Sequence, residues 1–255
     1  MRVIVPISVI VCCKPFLVNE QPLTVVVNHF KSKGSGCLED WLSFEESKDP
    51  ADMQGKCNEF RVSAATVLGE AVKQIEGDVL VIGDLNAYGM EDPLLVLTDY
   101  DAKHSQRDIV TASHTTLGAN TFEEQGRIID KGYGLINLNT KFHGQGTYSY
   151  SYNGELGNLD HALGNTSVAA RVIAVEDWHI NASESNLFEY GTKYTGDLVK
   201  SENAFSASDH DPVIIALEYP DSSDDGSSGG SLGIFSLVLL GLLGFRRGSK
   251  NNSHS

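Results

Sequence analysis

The sequence predicts an α/β fold, and three stretches carry that prediction. Residues 23–30 (LTVVVNHF) and 79–82 (VLVI) are short apolar runs rich in β-branched side chains, the composition of strands buried on both faces. Between them, residues 58–75 set Phe60, Val62, Ala65, Leu68, Ala71, Val72 and Ile75 at the spacing of one helix face. Gly77 and Asp78 then lead into the second run, so a helix feeds a strand.

The other elements follow in order. Residues 1–19 carry no firm assignment. Within them Arg2 to Cys13 reads as a short signal-peptide core or as a strand, and Pro6 and the lack of a small-residue cleavage site weigh against the signal. Asp92-Pro93 marks a helix start with Pro at the first helical position, and residues 94–97 form its apolar part. Residues 101–132 mix polar, Gly and Thr residues and read as an excursion from the core. Residues 148–152 (YSYSY) and 159–163 read as strands joined by the turn-prone pairs Asn153-Gly154 and Gly157-Asn158. Pro212 stands where a strand tolerates proline, at its start, before the apolar residues 213–217. The expected domain spans residues 20–220.

Residues 221–231 are Ser, Asp and Gly, a linker composition. Residues 232–255 hold an uncharged apolar run, 232–245, followed by Arg246, Arg247 and Lys250. At about 1.5 Å per residue the run is about 21 Å long as a helix, short of the roughly 30 Å hydrocarbon core. A buried C-terminal helix is the alternative. The linker before it and the basic residues after it favour a membrane-directed segment with transient membrane contact and Arg246 and Arg247 on the cytoplasmic side.

Composition narrows the partners. With 19 basic and 34 acidic residues the net charge is −15, which excludes a broad basic surface for nucleic acid. A local site is still allowed, because a bound divalent metal inverts the local charge. The four cysteines show no CxxC or Cys/His zinc spacing. Cys37 and Cys57 flank an acidic loop of about twenty residues, and a bridge there is worth roughly 3 kcal/mol in the chain-entropy model. Two free thiols in a reducing compartment are the alternative; the export features favour the bridge. Cys12 and Cys13 are an adjacent pair without assignment.

Gly83-Asp84-Leu85-Asn86 ends one buried strand. Asp84 and Asn86 are two residues apart, so in extended chain both point to the same side at a strand mouth. Asn28-His29, Leu159-Asp160-His161 and Ser208-Asp209-His210-Asp211-Pro212 also adjoin strand-like runs. This residue set suits phosphodiester cleavage. That reaction needs a metal against phosphate oxygens, an aimed water, and donors for the charge that builds in the transition state. Asp84 can hold or deprotonate the water, and Asn86 can position it and donate to a phosphate oxygen. His210 can donate to the phosphate with Asp160 on its other nitrogen to fix the tautomer and raise its basicity. Asp209 can ligate the metal directly or through water. Taken singly, each residue is more often a turn cap, a surface acid or a packing histidine. Four compatible motifs, each at a strand end, favour a site.

The motifs NHFKSKG (28–34), GDLNAY (83–88), EDP (91–93), LDHAL (159–163), WHIN (178–181) and SDHDP (208–212) resemble the endonuclease/exonuclease/phosphatase superfamily, the deoxyribonuclease I-like fold. More narrowly they look like its bacterial extracellular nucleases. The resemblance covers residues 20–220 and implies the C-terminal part of a four-layer α/β/β/α sandwich. It implies a catalytic role for His29, Asp84, Asn86, Asp160 and His210, and a metal-linked role for Asp209. Arg61 and His179 match family positions with no chemical role assigned. The implied cofactor is a divalent metal, magnesium first, with manganese or calcium as alternatives; the implied substrate is DNA, with RNA as a second candidate. The tail, with Gly229-Gly230, resembles the GlyGly-CTERM sorting signal. That implies export, a processing protease and an extracellular or cell-surface product.

The resemblance also implies an early Asn and a metal-binding Glu upstream of the NHF strand. Only 28 residues precede His29, and Glu20 is too close to serve. The expectation is therefore a fragment lacking the first half of the domain. Three functional readings come from this: a metal-dependent nuclease, a phosphodiesterase or phosphatase on lipid or small phosphoesters, and an inactive surface-anchored remnant.

Overall fold

The computed structural model describes residues 5–6, 12–34, 53–117, 120–185, 204–220 and 236–239. In chain order they form β1 (Val5–Pro6), β2 (Cys12–Val18), β3 (Gln21–Val27), α1 (Asn58–Lys73), β4 (Asp78–Asp84), α2 (Asp92–Leu97), β5 (Thr115–Leu117) and β6 (Asn120–Glu123). There follow β7 (Ile136–Asn137), α3 (Leu138–His143), β8 (Tyr150–Tyr152), β9 (Glu155–Gly157), β10 (Asp160–Gly164), α4 (Thr166–Arg171), β11 (Val172–Asp177), β12 (Val213–Leu217) and β13 (Ser236–Leu239). The architecture is mixed α/β, as the sequence predicts.

The central sheet has the order β2-β3-β4-β10-β7. β3 and β4 are parallel, with Val25 opposite Leu80, and every other pairing in this sheet is antiparallel. α1 provides the crossover between β3 and β4, as parallel neighbours require. Alternation along the strands divides the core in two. Val26, Val79, Val81 and Leu163 face Val62, Ala65, Leu68 and Val72 of α1, with α2 adding Leu94 and Leu97. Leu23, Val25, Leu80, Ile82 and Ala162 face the other way, toward Val175, Ile215 and Leu217 of β11 and β12. Helices thus cover one face of the sheet and a second sheet, β11-β12-β13, covers the other.

Three elements differ from the sequence reading. β2 occupies much of the stretch without a firm assignment. It forms a hairpin with β3 through Asn19 and Glu20, both at positive φ. Lys14 and Pro15 break its apolar run, and Pro15 is tolerated because β2 is an edge strand. β9 lies between β8 and β10 and pairs with β8 through an Asn153-Gly154 turn, φ 52° and 83°. Its residues Glu155 and Leu156 are exposed, so no apolar run announces it. α1 ends at Lys73 rather than Ile75, although Ile75 still packs against the core.

In the tail, Ser236–Leu239 pairs antiparallel with β12. The rest of the apolar run and the linker 221–231 lie outside the described residues. Among the described residues no helix is long and apolar enough to cross a membrane. Cys57 is buried and disulfide-bonded; its expected partner Cys37 lies outside the described residues, and Cys13 is free and exposed.

Candidate active site

The site is the polar end of the core between the two sheets. In β4, Leu80 and Ile82 face the second sheet, and the same alternation brings Asp84 to that side. In β10, Ala162 faces it, and two residues earlier so does Asp160. Asp84 and Asp160 are direct partners across the antiparallel β4–β10 ladder. Both are buried, at 7 % and 5 % exposure.

Gly83 makes the junction possible. It sits at φ 136°, and a Cβ there would lie 1.9 Å from the carbonyl oxygen of Asn28. The β3 chain therefore crosses hard against β4 where both strands end. Asn28 N–H donates to the Ile82 carbonyl and Phe30 N–H to that of Asp84. This carries His29 to the site, with Nε2 3.4 Å from Asp84 Oδ2. The hydrogen bond to Asp84 raises the His29 pKa against the opposing effect of burial.

Asp84 also holds the turn that follows it. Its Oδ1 accepts from Asn86 N–H at 2.8 Å and its Oδ2 from Asn86 Nδ2 at 2.9 Å. Asn86 is left-handed, φ 47°, a conformation Asn adopts more readily than most residues. Its Nδ2 also donates to the Phe30 carbonyl at 3.1 Å. The carboxamide thus ties the β3 and β4 loops together.

His210 enters from the start of β12. Its backbone bridges to Tyr150, and Asp211 N–H donates to the Ser149 carbonyl at 2.8 Å. Its Nδ1–H donates to Asp160 Oδ2 at 2.6 Å, the pairing the sequence predicts. Burial opposes the imidazolium, but the hydrogen bond and charge of Asp160, with Asp84 and Asp209 behind them, outweigh it and raise the pKa to about 9. Ligand atoms of Asp84, Asp160 and His210 lie within 4.8 Å of one another.

Asp209 is exposed and stands outside this group of three, close enough to favour the His210 imidazolium. Arg61 is fully buried in α1 and donates to the carbonyls of Lys31, Gly55 and Lys56, so it holds loops. His179 pairs with Asp211 at 2.8 Å. His161, beside Asp160 in LDHAL, points to the opposite side. Its Nε2–H donates to the Ala87 carbonyl and its Nδ1 accepts from Asn137. Burial lowers its pKa, so it is a neutral packing residue.

The sequence reading passed over Ser149 and Tyr150. Ser149 Oγ donates to Asp160 Oδ2 at 2.7 Å and accepts from the N–H groups of Leu159 and Asp160. It holds the carboxylate that holds His210. The signal was present in YSYSY, where serines alternate with tyrosines, but strand alternation does not say what a buried serine will meet. Lys33 and Glu91 were missed as well. Lys33 Nζ lies 3.1 Å from both Glu91 oxygens and 3.5 Å above the Tyr88 ring, so it joins the loop after β3 to the loop after β4.

No protein-family model matches the chain, and no curated protein matches it.

Proposed function

We propose that this chain carries the catalytic groups of a metal-dependent phosphodiester hydrolase, an exported or surface nuclease acting on DNA or RNA. The observation that carries the reading is the convergence of four strand-end motifs on one point. Asp84, Asp160 and His210, far apart in sequence, bring their ligand atoms within 4.8 Å. The motif resemblance supports the same reading. So does the layering of helices, sheet and second sheet, which fits part of a deoxyribonuclease I-like α/β/β/α sandwich.

A divalent cation fits the donor set. Asp160 Oδ1 is buried with no hydrogen-bond partner, a costly arrangement for a carboxylate oxygen that an ion would relieve. Carboxylate oxygens suit magnesium, manganese or calcium. Asp160 would hold the ion through its unpartnered Oδ1, with Asp209 at the rim for a water-mediated contact. When bound it would neutralise phosphate charge. The side chains do the rest. Asp84, backed by Asn86, orients the attacking water and accepts its proton. His210, fixed through Asp160, presents Nε2 to a phosphate oxygen. His29 adds a second donor beside Asp84.

The net charge of −15 favours a second reading, hydrolysis of lipid or small phosphoesters, because such a surface repels polyanions. Initial rates on plasmid DNA and on a choline phospholipid in magnesium buffer separate the two. DNA cleavage that falls by orders of magnitude in Asp84→Ala is the expected result. Cleavage unchanged by that substitution would sink the assignment, and activity on the phospholipid alone would transfer it to the second reading.

A further inference from the structure

β8 puts Tyr150 against His210, and Tyr152 on the same strand and Tyr88 from the loop after β4 stand near Tyr150. Tyr150 and Tyr152 are two residues apart in the strand and share one of its faces. The Tyr150 ring lies 4.7 Å from the His210 ring, tilted by 37°. Tyr152 is 60 % exposed. Tyr88 comes from the other side of the site, two residues after Asn86. Its ring lies on the backbone of Gly157, the cross-strand partner of Tyr150, where a Cβ would approach ring carbon Cε1 to 2.4 Å. The Lys33 ammonium sits 3.5 Å over the Tyr88 ring centroid and is held there by Glu91. Burial chiefly, and then Asp209, Tyr88 and Tyr152, raises the Tyr150 phenol, which keeps it neutral and marks how close these groups stand.

The core needs none of these rings. Tyr88 and Tyr150 are half-buried and Tyr152 is exposed, and the two apolar clusters close without them. With 34 acidic and 19 basic residues, the chain has no broad basic surface to supply affinity for phosphates on either a duplex or a single strand. Flat rings next to the hydrolytic group offer another source of affinity, stacking with bases. That source works only on bases whose faces are open.

We propose that Tyr150 and Tyr152 form a base-stacking platform that makes single-stranded nucleic acid the substrate of this site. The inference rests on the nuclease reading above. Tyr150 would seat the base next to the scissile phosphate at His210. Tyr152 would take the neighbouring base, and Tyr88, covered by Lys33 and Gly157, would stand beside them as a fixed wall.

The full chain is assayed in magnesium buffer on an oligothymidylate strand, on the same strand paired with its complement, and on an abasic deoxyribose-phosphate strand. Binding is followed separately by fluorescence anisotropy on a phosphorothioate oligothymidylate that resists cleavage. The single strand is expected to be cleaved at least about tenfold faster, in kcat/KM, than the duplex or the abasic strand. Tyr152→Ala, at an exposed position that leaves folding intact, is expected to raise KM and the anisotropy Kd about tenfold, with Tyr152→Phe restoring both. Equal cleavage of duplex and single strand, or an unchanged Kd in Tyr152→Ala, overturns the platform. If none of the strands is cleaved the nuclease reading fails instead, and the anisotropy comparison still decides whether these tyrosines bind bases.

Discussion

Two histidines among the described residues each give Nδ1 to a buried aspartate, His210 to Asp160 at 2.6 Å and His179 to Asp211 at 2.8 Å. Each also lies against a tyrosine. Tyr148 stacks flat on His179 at 3.8 Å, and Tyr150 tilts against His210 at 4.7 Å. What separates them is how the aspartate is used. Asp211 Oδ1 accepts the N–H groups of Ile180, Asn181 and Ala182, and its Oδ2 takes His179. Its capacity is spent on folding the 178–182 loop. Asp160 Oδ2 is occupied by Ser149 and His210, while Oδ1 is buried and has no partner. A His–Asp pair is therefore no mark of chemistry by itself. Acceptor capacity left over is the more informative sign, because burying it without use is costly.

Removal of each imidazole should separate the two histidines most widely. His210→Ala is expected to lower phosphodiesterase kcat by about a thousandfold, and His179→Ala to change it by no more than about twofold. Similar losses in both, on one substrate and at one pH, would erase the distinction.

The aspartates should reverse the order when stability is measured. Asp211→Ala leaves three backbone donors without their acceptor and is expected to cost about 3 kcal/mol in denaturant unfolding. Asp160→Asn keeps an acceptor for Ser149 and should cost about 1 kcal/mol. A larger cost at Asp160 would mean that its role is structural.

The smallest effect is a titration. By NMR of the metal-free protein, the His210 imidazole should titrate near pH 9, and Asp160→Asn should bring it down toward 6.5. The folded-state value lies above the unfolded one. The pair therefore adds stability that is complete below about pH 6.5 and is lost as pH rises through about 9. A wild-type titration near 6.5 would remove Asp160 as the partner that sets the charge of His210.

The pairing of His210 with Asp160 was legible because each chemical group stood next to an apolar strand, and strand ends are where sheets gather polar groups. α1 was legible from its apolar spacing and α2 from Asp92-Pro93. Other parts depended on tertiary contacts that local pattern does not encode. SDHDP does not say that its second aspartate turns away to gather three amides from a loop some thirty residues earlier. LDHAL does not say that His161 gives its ring to the Ala87 carbonyl and to Asn137. β9 escaped because its exposed side chains lack the run that marks a strand, and β2 because Lys14 and Pro15 interrupt one.

The register of β4 on β10 has a consequence for how the gene can vary. Asp84 faces Asp160 only because Gly83 faces His161 and Ile82 faces Ala162. Side chains in strands repeat every two residues, so a shift by one would carry Asp160 toward the helices and bring a neutral histidine into its place. The same shift would move Leu163 out of the α1 core, where it is fully buried. A single-codon insertion or deletion in either strand thus fails twice, as a packing error and as a loss of chemistry. Length variation has to collect in the connections, and the strands act as a ruler against which the catalytic groups are set each time the chain folds.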